Sequence, residues 1–139
     1  GAAPNFSGNT TNSTIQAAFG IGLAFTPTLV NGANVGSSTG LDVYWDYART
    51  TNEVFGRVRI TPTTGGSTKT VFNMSLPLAA VLTNAYEIIG MGVVHDLATA
   101  KATNISIIGD TGANNAQFTF FADSMSQHEI FFRFKQIRF

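Results

Sequence analysis

Two histidines, eight carboxylates and a group of aromatics are the residues that could do chemistry in this chain. His95 and His128 lie far apart and no HxH or HxxxH pair exists, whereas zinc needs three or four ligands. No cysteine is present, so thiolate metal sites, cysteine nucleophiles and disulfides are excluded. Asp42 and Asp46 share one strand face, ~13 Å apart along it. A glycosidase pair needs ~5–10 Å. Carboxylates of different strands, such as Asp46 and Glu53 across the first hairpin, could approach, and the plainer reading is solvated hairpin charges. Asp110 with Asn114 and Asn115 offers several oxygens but lacks EF-hand spacing, and it reads as a turn. There is no GxSxG, no Walker motif and no dinucleotide fingerprint. Gly20-Ile21-Gly22 has no basic neighbour and is no phosphate loop. The expectation is a non-enzyme with no catalytic residues, no metal and no cofactor.

The aromatics point to surface contact. Trp45 is in phase with Leu41 and Val43 and is expected in the core. Tyr44 faces the other way and is the better surface candidate, as is Tyr86.

The elements that must position these residues are strands. The 139 residues suit one domain, and the 8 basic and 8 acidic residues cancel. That balance argues against phosphate neutralisation and nucleic-acid binding. Charged residues make up 12%, about half the usual ~25%. The longest apolar stretch, residues 15–24, is too short to cross a bilayer as a helix. The first residue is Gly1, which reads as a piece of something longer, and the apolar end at Phe139 reads as a natural terminus. The Asn-x-Ser/Thr triplets at Asn5, Asn9, Asn12, Asn73 and Asn104 arise often by chance in such a composition.

Residues 1–23 read as a leader, polar over the first 14, and residues 24–139 as one β domain. Hydrophobic residues recur with period two at Val54, Val58 and Ile60, at Phe72 and Met74, at Ile105 and Ile107, at Phe118 and Phe120, and at Ile130, Phe132 and Phe134. Turn chemistry at residues 50–52, 63–67 and 109–115 separates the runs. Segments 24–30 and 85–95 bring the count to about eight strands. Residues 77–84 allow one short helical turn. The class is all-β, an antiparallel β-sandwich.

The last strand is apolar on both faces. Antiparallel sheets of monomers usually keep one face polar. Phe55, Phe121, Phe131 and Ile137 are therefore candidate contacts with another copy, the alternative being cover by the segment 26–40.

The order of short motifs adds a resemblance. Phe25-Thr26-Pro27-Thr28-Leu29, Asn34-Val35 with Ser38-Thr39, Tyr47-Ala48-Arg49, Val54 to Thr63 and Ser75-Leu76-Pro77 follow one another. Ile108 to Asn114, Phe118-Thr119-Phe120 and Phe132-Arg133-Phe134 complete the series. Together they resemble the C-terminal β domain of bacteriophage tail-fibre, spike and head-fibre proteins, over residues 24–139. The chain departs from that pattern at Glu53-Val54-Phe55 and at Gly109-Asp110.

The resemblance implies a jelly-roll-like sandwich, a homotrimer at the tip of a virion protein, and host attachment through a receptor, possibly a carbohydrate. The implied location is the exposed virion surface, without membrane insertion. Recognition falls to strand connections at residues 31–39, 65–68 and 96–103, with Asn31, Asn34, Tyr44, Ser67, Asp96 and Lys101 as candidate contacts. The rival reading is an architectural trimerisation or capsid-decoration domain without receptor contact. A lectin unrelated to viruses would instead expose Trp45.

Overall fold

The computed structural model describes residues 22–46 and 51–137. Among the described residues nine strands form one antiparallel sheet: β1 (Leu23–Ala24), β2 (Leu29–Asn31), β3 (Val35–Asp46), β4 (Thr51–Pro62), β5 (Thr68–Met74), β6 (Ile88–Asp96), β7 (Ala102–Asp110), β8 (Asn115–Ala122) and β9 (His128–Ile137). Their spatial order is β1-β3-β4-β9-β6-β7-β8-β5-β2, and the sheet curls into a half-barrel around its apolar face.

The period-two residues line that inner face. Val54, Val58, Ile60, Phe72, Met74, Phe118, Phe120, Ile130, Phe132 and Phe134 are all buried. Phe118 sits at the centre, stacked on Phe72 with centroids 4.6 Å apart and edge-on to Phe132 at 5.1 Å. These are the offset and T-shaped arrangements that ring quadrupoles favour. Trp45 packs against the same core.

The segment 24–30 is not one strand. Pro27 lies between β1 and β2, where its missing N–H cannot serve a ladder. β1 begins at Leu23, opposite Trp45, one residue inside the expected leader. Residues 1–21 and Tyr47-Ala48-Arg49 of the motif series lie outside the described residues. The helical turn expected over 77–84 is displaced. A 3₁₀ turn forms at Ala85–Glu87, where the Glu87 carboxylate accepts from the Thr83 and Asn84 amides and the Thr83 hydroxyl. The Asn84 amide and then the Thr83 hydroxyl hold Glu87 below the usual carboxylate range. Only residues 32–34 of the expected 31–39 loop are outside strands.

β6 inverts the usual division of residue size. Its inward positions include Gly90 and Gly92, opposite Phe134 and Phe132 of β9, while Ile89, Met91 and Val93 point outward. A Cβ at Gly92 would overlap the Phe131 carbonyl and Phe132 Cα. A Cβ at Gly90 would likewise overlap Phe134 Cβ and the Arg133 carbonyl, so both glycines let the β9 backbone approach closely.

Candidate functional site

The sheet splits at one end. β7 and β8 pair only from Ser106↔Thr119 to Asp110↔Asn115. Beyond that register, each strand follows its other neighbour. β7 stays with β6 as far as His95↔Ala102, and β8 stays with β5 as far as Thr68↔Ala122. The facing backbone edges of the two strands have no ladder partner across the gap, and buried backbone groups left so must find another donor or acceptor.

The gap is a cleft with a cavity of about 180 Å³. Lys101 and Thr103 line the β7 side, Phe121 and Asp123 the β8 side, and Ser67 the lip, with Val94 and His128 at the bottom. At a water's share of ~30 Å³, it has room for about six. It is smaller than the ~300 Å³ of a drug-sized pocket, which suits a single ring with polar substituents. The Phe121 ring is 56% exposed.

Three loops close around the cleft and are tied to one another. Gly66 N–H donates to the Asp123 carbonyl (3.0 Å) and Leu97 N–H to that of Gln127 (3.0 Å). The Thr99 hydroxyl donates to Asp123 Oδ2 (3.3 Å). Beneath them lies a buried network. Asp96 Oδ1 accepts from the Ala98 and Thr99 amides (2.8 and 3.2 Å), and Asp96 Oδ2 from the Ser124 hydroxyl. Burial opposes ionisation of Asp96, but the Ser124 hydroxyl and these amides outweigh it and hold the carboxyl well below its usual range.

His128 closes the network. Its ring is 1% exposed. Nδ1 lies 2.7 Å from the Ser126 carbonyl, which only accepts, so the bonding assigns a proton to Nδ1. Nε2 faces Asp123 Oδ1 at 3.0 Å and Asp96 Oδ2 at 3.6 Å. Ligand atoms of Asp96, Asp123 and His128 all lie within 4.8 Å of one another. Sequence spacing could not reveal this trio. It is made by the β6–β9 register, which sets Asp96 opposite His128. His128 is accordingly no surface histidine.

The sequence candidates fall into distinct places. Ser67, Lys101 and Phe121 meet at the cleft. Asp96 lies beneath it, 1% exposed, a ligand of its own loop and not an outward contact. Asn34 is fully engaged: its Oδ1 accepts from the Thr63 hydroxyl and from the Thr64 amide and hydroxyl, and its Nδ2 donates to the Thr64 carbonyl and Thr70 hydroxyl. Asn31 accepts from the Ser38 hydroxyl. Asp110 holds its own turn through the Gly112 and Ala113 amides and is bonded by Asn73. Asn73 first, then the Ala113 amide, lower its pKa. Nothing local in the sequence marks Asp123, His128 stands there as a lone histidine, and Thr103 ends the expected connection 96–103.

Tyr44 lies on the outer face, stacked on Phe55, which also carries the Arg133 guanidinium 5.4 Å from its centroid. Phe55 and Ile137 are half-buried, whereas Phe131 is 47% exposed beside Val93 of β6. The segment 26–40 therefore does not cover Phe131. Ile89, Met91, Val93 and Ile108 extend the same exposed apolar row. Among its charged neighbours Arg57 pairs with Asp42 (2.6 Å) and Glu129 (2.7 Å), Arg59 with Glu129 (3.1 Å), and Arg133 with Glu53 (3.3 Å), while Lys135 stands exposed opposite Ile89. Arg57, foremost, holds Glu129 below its usual range. No protein-family model, curated protein or solved structure matches the chain.

Proposed function

We propose that this domain is a bacteriophage attachment module, a jelly-roll-like tip of a spike or fibre that binds a host-surface saccharide in the cleft between β7 and β8. The observation that carries the reading is the cleft itself. An exposed aromatic ring stands beside unpaired strand edges, the Ser67 and Thr103 hydroxyls and the Lys101 ammonium. A sugar ring has an apolar face that stacks on Phe121. Its hydroxyls both donate and accept, which matches backbone N–H and C=O groups in one ligand.

Such a site is small and weak, so it needs repetition. The second copy is assigned to the outer face of β4, β9, β6 and β7. Four strands at ~4.8 Å spacing and about eight residues of length give roughly 500 Å² per copy, shared between two neighbours in a trimer. This face alone falls short of the ~1,200 Å² of a standard specific interface, so a trimer would also need contacts outside it. Arg57 and Arg133 are paired within the chain, and Met91, Val93 and Phe131 form the apolar centre for the partner copy, with Lys135 at its edge. A homotrimer would present three clefts together and gain avidity through effective concentration.

The test is twofold. Light scattering after size exclusion is expected to give three times 14.8 kDa, stable on dilution. Binding to host cells is expected to fail when Phe121 and Lys101 are both replaced by alanine. A trimer that binds no host cell would favour the architectural alternative, for which the exposed row of Met91 and Phe131 speaks.

A further inference from the structure

We propose that Asp96, Asp123 and His128 bind a zinc-class divalent cation at the bottom of the cleft. With Nδ1 committed to the Ser126 carbonyl, Nε2 presents its lone pair toward two carboxylate oxygens. The three ligand atoms lie within 4.8 Å of one another, close enough for one cation to engage all of them. A proton on Nε2 is satisfied by Asp123 at 3.0 Å alone. It does not reach Asp96 Oδ2, which stands 3.6 Å away and accepts from the Ser124 hydroxyl. A divalent cation uses all three groups.

The spacing fits. Tetrahedral zinc with bonds of ~2.0–2.1 Å sets its ligand atoms roughly 3.3 Å apart. The observed separations from Nε2 are 3.0 and 3.6 Å. Calcium and magnesium prefer six or more oxygens, whereas an imidazole with two carboxylates suits zinc, cobalt or nickel.

The ligands are held from behind, as metal ligands are. The Ser126 carbonyl fixes the imidazole, and the Ser124 hydroxyl with the Ala98 and Thr99 amides fixes Asp96. Binding uses the Nε2 lone pair and leaves the proton on Nδ1, where the Ser126 carbonyl holds it. Asp123 and His128 line the cavity, so a fourth position opens into the cleft. The site stands apart from the saccharide reading, because metal binding is measured on the protein alone.

The experiment is calorimetric titration of the chelator-treated full chain with zinc chloride and then with cobalt chloride, with the thermal midpoint recorded beside it. One equivalent is expected, with a raised midpoint and the visible absorption of tetrahedral cobalt. Outer-shell substitutions cost ~10–100-fold in metal affinity, so losing a ligand in Asp123→Asn should weaken binding about 100-fold or more. Asp123 is only partly buried, which keeps the folded protein available where His128→Gln fails to fold. Asp110→Asn, at a turn outside the cleft, should bind as the parent does. No heat and no midpoint shift with the parent chain would overturn the proposal, leaving the trio as a proton-held staple. Equal binding by Asp123→Asn would also overturn it.

Discussion

Replacing Phe121 by alanine separates binding from folding, because the ring is 56% exposed. Full burial of a phenylalanine side chain contributes ~1.5–3 kcal/mol. The covered part of the ring therefore accounts for about 1 kcal/mol of stability. The free part is what a saccharide would cover, another ~1 kcal/mol, with a further ~0.5–1 kcal/mol for a well-placed ring contact. The variant should stay folded and lose about 10- to 30-fold in affinity, at 1.4 kcal/mol per tenfold. Phe131→Ala is the matched control, since that ring is 47% exposed on the outer face and should lose similar stability. The assay is titration with monovalent host-surface oligosaccharides followed by NMR, which reads single-site affinity free of avidity. Shifts should appear at Thr103, Phe121 and Ser67, weakening in Phe121→Ala and persisting in Phe131→Ala. Equal affinity in both variants would remove the cleft as the saccharide site.

Other perturbations test the frame around the site. Gly92→Ala drives a methyl into the backbone of β9, which cannot yield, and should destabilise by about 1–3 kcal/mol in chemical denaturation. Asn34 combines φ = 60° with five side-chain hydrogen bonds. Asn34→Gly keeps the backbone conformation and loses only the bonds, so Asn34→Ala should melt lower than Asn34→Gly by the strain of a left-handed alanine, about 1 kcal/mol. Asp96, Asp110, Glu87 and Glu129 all have folded pKa values below their unfolded ones. Their contribution is complete above the unfolded values of about 4 and is lost as pH falls further. Melting scans should be level near neutrality and drop below about pH 4, and a midpoint that rises on acidification would refute the assignment.

The sequence showed the core plainly and the site hardly at all, for different physical reasons. Strand faces follow from local alternation, so Phe118, Phe132 and Phe134 could be assigned inward from their neighbours alone. For β6 the sequence leaves open which face turns inward. There Gly90 and Gly92 face inward, and the large Met91 faces out at 75% exposure. Period and residue size gave opposite answers, and only the cross-strand pairing with Phe132 and Phe134 decides between them. The cleft depends on where one register ends. No residue of β7 or β8 announces that pairing stops at Ser106↔Thr119. Loop composition still found Ser67 and Lys101, because polar connections at one end of a sheet converge. It misplaced Asn34 and Asp96 because a polar loop residue can recognise its own backbone as readily as a ligand.

The placement of the two surfaces bears on how the proposed tip would work. The exposed row of Met91, Val93 and Phe131 lies on the outer side of the sheet, whereas the cleft opens at the end where the loops of Ser67 and Lys101 meet. β7 joins the two: Ile108 belongs to the apolar row and Thr103 to the cleft. Packing copies through the outer face would therefore leave each cleft open and aimed along the strands, so assembly and attachment need not compete for the same residues. The separation makes a demand that can be checked. Met91→Lys, a charge set in the middle of the apolar row, should dissociate an assembly held by that face and lower host-cell avidity by at least tenfold. Single-site affinity in the NMR titration should stay unchanged. Loss of single-site affinity in a folded Met91→Lys monomer would mean that the cleft is completed by a neighbouring copy.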